Sequence, residues 1–187
     1  LYVYNSNGQL ERTAASDGTK VTVNLNRSMS YTVYALANFP VLPEAPFEES
    51  EFKSMVHSVP YDLMKDTGVP MCGMISLDAE TIVSGSAEIE LVRLITRVSF
   101  SIDKSELTSS DLTVTSVKLC QTASAAAPFS DSFTPEDDMV EAEGDYVSED
   151  ELDYLNAGGS VWLYCLENCQ GILLPDNADP WMKVPSE

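Results

Sequence analysis

A chain of 187 residues with 44% apolar side chains is long enough to bury a core and too apolar to remain disordered. Its formal net charge of −20 repels phosphate backbones and anionic headgroups, which argues against a nucleic-acid or direct membrane partner. No stretch approaches the roughly 20 apolar residues of a membrane span. The first residues, LYVYN, read as the middle of a strand with no initiator Met and no signal peptide, so a trimmed or mature product of a longer precursor is expected.

LYVYN is followed by Ser6-Asn7-Gly8, and QLERTAAS by Asp17-Gly18. Asn-Gly and Asp-Gly between strand-like runs predict hairpins with type I′ turns, which need positive φ at both central residues. TKVTVNL alternates, with Val21, Val23 and Leu25 on one face and Thr22 and Asn24 on the other. YTVYALANF is rich in β-branched and aromatic residues, which completes an antiparallel meander. Pro40, Pro43 and Pro46 then place an extended loop at 40–47. In PFEESEFKSMVHSV the apolar residues Phe52, Met55, Val56 and Val59 fall at helical spacing, with acidic residues in the first turn, so a short helix carrying His57 is predicted.

MCGMISL (71–77) and TIVSGSAEIEL (81–91) read as strands, with Gly85 as a bulge or joint. EIELVRLITRVSFSID fits both periods, but its β-branched content and the alternation of SFSI favour one strand. DLTVTSVKLC, the small-residue stretch TASAAAP and the acidic run PEDDMVEAEGDYVSEDELDYL follow; Ser148 and Glu151 predict a capping box for a short helix, SEDELDYL. VWLYCLEN reads as the last strand, and no internal repeat is visible.

The inventory for catalysis is thin. His57 is the single histidine, and GxSxG, HExxH, P-loop and GxGxxG motifs are absent. Carboxylates that might serve a glycosidase fall in runs such as Glu136-Asp137-Asp138 and Glu149-Asp150-Glu151, the pattern of a solvated face. Asp176, Asn177 and Asp179 offer hard oxygen ligands for calcium but lack the length and bidentate Glu of an EF-hand, so a turn is expected. The four cysteines, Cys72, Cys120, Cys165 and Cys169, allow three fully paired connectivities. Only Cys165 and Cys169 are closely spaced, whereas zinc sites use two such pairs. A strand would hold those two roughly 13 Å apart, beyond disulfide reach. Most of the four are expected to be small buried hydrophobes. No catalytic, cofactor-binding or metal-binding residue is assigned, and no cofactor.

Five segments in order carry a resemblance: Val3 to Gly8, Tyr31 to Asn38, Pro70 to Gly73, Leu91 to Val98, and Tyr164 to Gly171. Together they resemble the fimbrillin superfamily, the type V (Mfa-like) pilus subunits of anaerobic Gram-negative bacteria. That family tends to show "vyvfn..G", "Y.v.ala N", "iPM.G", "v.L.RlvArv.v" and "fYvpEN.qG". Cys165 and Cys169 occupy variable places in the last motif.

The resemblance implies an all-β fold of tandem transthyretin-like antiparallel β-sandwiches with one or two short helices. It also implies a lipoprotein leader, export to the outer membrane and the cell surface, and assembly into fimbriae. In that family a protease cutting after an Arg removes an N-terminal strand, and a neighbouring subunit fills the groove by β-strand addition. Neither the processing Arg nor the donor strand is assigned here; Arg12 is expected to be an ordinary strand residue. The expected domains are 1–88 and 89–187, with the second sandwich incomplete and an alternative boundary near 125. The expected function is a structural or adhesive fimbrial subunit whose partners are other subunits and a host protein or glycan. The alternative is a non-polymerising surface β-sandwich that binds glycan or host protein, for instance through Trp162 or Trp181, although both are expected in the core. A glycosidase is a distant third.

Overall fold

The structure, a computed structural model, describes residues 1–39, 41–42, 44–59, 68–105, 113–130, 140–166, 172–173 and 183–184, with side chains for all of these but 140–143, 172–173 and 183–184. Pro40, Pro43, Glu136-Asp137-Asp138, Cys169, Asp176, Asn177, Asp179 and Trp181 lie outside the described residues, as does most of the ENCQG motif. Among the described residues the chain is mostly antiparallel strands with three short helices, which agrees with the all-β expectation. It divides into two compact units. The described residues of the first lie within 1–59, 68–94 and 127–130, and those of the second within 95–126 and 140–184.

The first unit is built on one five-stranded sheet. Its strands are β1 (Tyr2–Asn5), β2 (Leu10–Thr13), β3 (Tyr31–Ala37), β5 (Met71–Leu77) and β6 (Val92–Arg93), in the order β2-β1-β3-β5-β6. β4 (His57–Ser58) lies outside that sheet. The period of two sorts side chains onto the two faces. Tyr2, Tyr4 and Tyr34 bury one face beneath Phe52 of helix α1 (Glu49–Ser54) and Phe129. Val3, Tyr31, Val33 and Leu77 bury the other face beneath Leu25, Met29, Ile82 and Ile89.

The aromatic cluster is close-packed, with ring centroids at 4.7 Å for Tyr2–Phe52, 5.2 Å for Tyr34–Phe52 and 4.7 Å for Tyr34–Phe129. Its hydroxyls are satisfied: Tyr34 donates to Glu49 at 2.5 Å and Tyr4 to the Pro46 carbonyl at 3.0 Å. Burial, reinforced by Glu49, pushes the Tyr4 phenol up to about 12.

The β1–β2 turn corrects the expected type I′ geometry. Only Gly8 has positive φ (+74°); the Gly8 N–H donates to the Asn5 carbonyl and the Asn5 N–H to the Gln9 carbonyl. This is a type I turn followed by a glycine bulge. The Asn5 side chain fixes it by accepting from the Asn7 and Gln9 amides. Gly8 then offers its carbonyl to the Glu49 amide at 2.8 Å, tying the start of α1 to the hairpin.

Several other expectations are overturned. Residues 19–25 form no ladder strand, so the Asp17-Gly18 hairpin does not exist; their side chains still alternate half-buried and exposed, because Val21, Val23 and Leu25 face inward. The helix ends at Ser54, and His57 lies on β4. Segment 81–91 is not a strand: helix α2 (Ala79–Ser84) is capped by Asp78, which accepts from the Thr81 amide at 2.8 Å, and ended by Gly85 at φ +82°. The run expected as one strand across 88–103 is broken at Leu94 into β6 and β7 (Ile95–Ser101), in different units.

Gly73 of β5 has a steric reason. A Cβ there would sit 2.1 Å from the Glu90 carbonyl oxygen, so only glycine lets residues 89–90 cross the sheet. Gly73→Ala is expected to cost about 1–3 kcal/mol by forcing backbone apart, read as a fall in thermal midpoint. An unchanged midpoint would show that Glu90 can move aside freely.

In the second unit β7 pairs with β11 (Ser160–Leu166) from Ile95↔Leu166 to Ser101↔Ser160. β8 (Lys118–Ala123) pairs with β10 (Val140–Tyr146). TASAAAP is thus partly strand, in β8 and β9 (Ala125–Ala126). Helix α3 (Glu149–Asn156) begins at the predicted capping box, where the Glu151 carboxylate accepts from the Ser148 amide at 2.9 Å and hydroxyl at 2.7 Å. Leu155, Val147, Val161 and Leu163 form the core. Buried Asp145 joins β10 to β11, its carboxylate accepting from the Tyr146 and Tyr164 amides at 3.0 and 2.8 Å. VWLYCLEN is not last: β12 (Ile172–Leu173) and β13 (Lys183–Val184) pair after it.

Candidate functional site

The predicted chemistry-bearing residues do not converge. Cys72 is buried, its thiol raised by burial and directed at the Pro128 carbonyl at 3.7 Å, whereas Cys120 is exposed and Cys165 half-buried. Of these three, only Cys72 matches the expected buried hydrophobe: Cys120 is exposed on β8, and Cys165, on the face of β11 that carries Val161 and Leu163, is only half-covered. All three are free thiols. Glu149, Asp150 and Glu151 line the first turn of α3, where they favour its dipole. Among the described residues no group of three or more His, Cys, Asp or Glu side chains is arranged to hold a metal ion. Nor is any helix among them long and apolar enough to cross a membrane.

His57 is 8% exposed, packed edge-on against Phe39 with centroids 5.3 Å apart, and its Nε2 has no hydrogen-bond partner among the described residues. Burial lowers its pKa below the ordinary 6.5. The unfolded chain therefore takes up a proton near 6.5 while the folded chain takes it up only at lower pH. Stability is fully present above about 6.5 and is lost as the pH falls from there through the folded value. The thermal midpoint is expected to drop between pH 7.5 and 5.5, and to drop less in His57→Phe. Equal slopes in the two proteins would remove His57 as the cause.

What the fold does assemble is open strand edge. Leu1 and Ala14 exchange both main-chain bonds, N to O at 2.7 and 3.0 Å. With Val3 opposite Arg12 and Tyr2 opposite Thr13, the alternation of an antiparallel ladder turns the Thr13 N–H and C=O away from β1, toward the outer side of the sheet. Residues 19–25 lie nearby outside any strand, and their amides and carbonyls make no backbone hydrogen bond to another described residue. Between β2 and that segment lies an opening of about 260 Å³ lined by Arg12, Thr13, Ala14, Thr22, Val23 and Asn24. A second opening, of about 410 Å³, shares Thr13 and Ala14 and is lined on the other face by Tyr2, Leu42 and Ala45. A free strand edge and an unladdered segment flanking a slot leave room and main-chain groups for one more strand.

A second open edge lies in the other unit. Among the described residues β7 pairs only with β11, and Val98 and Phe100, on the face shared with core residues Val161 and Leu163, remain 37% exposed. On the opposite face Trp162 is 45% exposed rather than in the core, because the β11 alternation that buries Val161 and Leu163 turns it outward. The Arg97 guanidinium stacks over it at 4.2 Å from the ring centroid.

Comparison with protein-family models, with curated proteins and with solved structures gave no match. The reading of this site therefore rests on its geometry and on the motif resemblance. Three of those motifs meet in the first unit. Asn38, at φ +60° where β3 ends, donates through Nδ2 to the Val69 carbonyl at 2.9 Å. The Leu94 amide donates to the Pro70 carbonyl at 3.0 Å, and Met71 pairs with Arg93. The only sequence signal near the slot is the alternation of TKVTVNL, which reports covered side chains and not a paired main chain.

Proposed function

We propose that the chain is a non-catalytic structural or adhesive subunit of cell-surface fimbriae, made of tandem transthyretin-like β-sandwiches and joined to its neighbours by β-strand addition. The observation that carries this reading is the slot beside β2, where the outward Thr13 main chain faces unladdered residues 22–24. Main-chain bonds from an incoming strand would satisfy both edges, and alternate side chains would fill the openings on the two faces. An edge left bare is an aggregation hazard for a monomer and a requirement for a polymer. The location proposed with it is the outer-membrane surface of a Gram-negative bacterium, with a lipid anchor carried on a leader.

The test is a denaturing gel of the full-length protein from its own cells, with and without boiling, together with its mature N-terminal sequence. A heat-sensitive ladder with an N-terminus just after an Arg is the expected result. A single band that keeps a lipidated N-terminal Cys would rule out a stalk role.

A second reading, a surface domain that binds glycan or host protein without polymerising, is favoured by exposed Trp162 stacked on Arg97. Under it, Trp162→Ala abolishes binding on a glycan panel, and no ladder forms in the unsubstituted protein.

A further inference from the structure

We propose that the slot beside β2 selects an extended strand that is acidic on one face and apolar on the other, with one of its carboxylates paired to Arg12. The inference rests on the strand-addition reading and adds the chemistry of the incoming strand.

The charge distribution carries it. The chain as a whole has a formal charge of −20, yet residues 12–27 hold Arg12, Lys20 and Arg27 against the single acid Asp17, a local balance of +2. Of the six residues lining the smaller opening, Arg12 alone is charged. Its guanidinium is exposed and makes no ion pair with another described residue. Arg12 lies directly across from Val3, so its side chain leaves the sheet on the Val3 face, the face that residue 25 also covers. The larger opening, toward Tyr2, has apolar walls in Tyr2, Leu42 and Ala45, with Glu44 as its charged side chain; Leu42 is about half exposed.

A strand laid along Thr13 would send alternate side chains to these two sides. Carboxylates would be attracted on the Arg12 side, while Glu44 would repel them on the other side and Leu42 would favour an aliphatic group there. A lone exposed Arg and an open slot do not make a small-anion site, because no main-chain cradle or second cation converges with it. A peptide strand satisfies the main-chain edges as well as the charge.

The test uses the full chain and three labelled hexapeptides, acetyl-Thr-Val-X-Val-Thr-Val-amide with X as Glu, Gln or Lys, followed by fluorescence anisotropy. The Glu peptide is expected to bind about fivefold more tightly than the Gln peptide at low salt, the scale of one exposed ion pair. That margin should close at about 0.5 M salt as screening shortens. Arg12→Gln, an exposed position, is expected to erase the margin while keeping the affinity for the Gln peptide, with unchanged circular dichroism. Equal affinity for Glu and Gln, or preference for Lys, would overturn the acidic strand and leave strand addition standing. If none of the three binds, the slot is not an acceptor, and both readings fail there.

Discussion

Replacing Phe52 with alanine is expected to remove about 3–5 kcal/mol of stability, a large share of the 5–15 kcal/mol of a typical domain. Phe52 is 1% exposed and holds helix α1 to the sheet through three tyrosines and Phe129. Truncation would leave a cavity that no neighbour can fill, since Tyr4 and Tyr34 are anchored by their hydroxyls to Pro46 and Glu49. The urea midpoint should fall sharply with little change in slope. Phe52→Leu, which keeps most of the volume, should cost much less. Val83→Ala, on a side chain 62% exposed, should move the midpoint hardly at all. A small effect at Phe52 would mean that α1 is not the lid of this core.

How far the fold could be read in advance depended on whether a segment's hydrogen bonding follows from its pattern. β3 is legible because its run is dense in β-branched and aromatic residues, and both β3 and β5 lie inside the sheet with a partner on each side. The capping box of α3 was legible because Ser148 and Glu151 satisfy it within four residues. TKVTVNL failed for the opposite reason. Alternation reports which side chains are covered, and Val21, Val23 and Leu25 are covered, but nothing in the pattern says that the main chain has a neighbour. In TIVSGSAEIEL the cap outweighs the β-branched residues. Asp78 three residues before Thr81, with Gly85 just past the last turn, fixes a helix despite Thr81, Ile82 and Val83. α1 stops at Ser54, its buried face satisfied by Phe52, so the helical spacing of Met55, Val56 and Val59 does not extend it to His57.

The slot was illegible for a related reason: an acceptor is defined by what does not pair, and sequence patterns record only what can. Its strongest test is therefore a substitution that alters the edge and nothing else. Thr13→Pro is expected to abolish the heat-sensitive ladder of the full-length protein while shifting stability by no more than about 1 kcal/mol. The Thr13 N–H faces away from β1, so proline removes no bond that the sheet makes, and an edge strand tolerates proline at such a position. The same ring withdraws a donor that an incoming strand would need and blocks its approach. Phe100→Lys on β7 provides the contrast, since it charges the other open edge without touching Thr13. Loss of the ladder in Thr13→Pro alone places the joint beside β2. A ladder that survives Thr13→Pro and vanishes in Phe100→Lys moves it to β7, and the acidic strand inferred for Arg12 would then have no role in assembly.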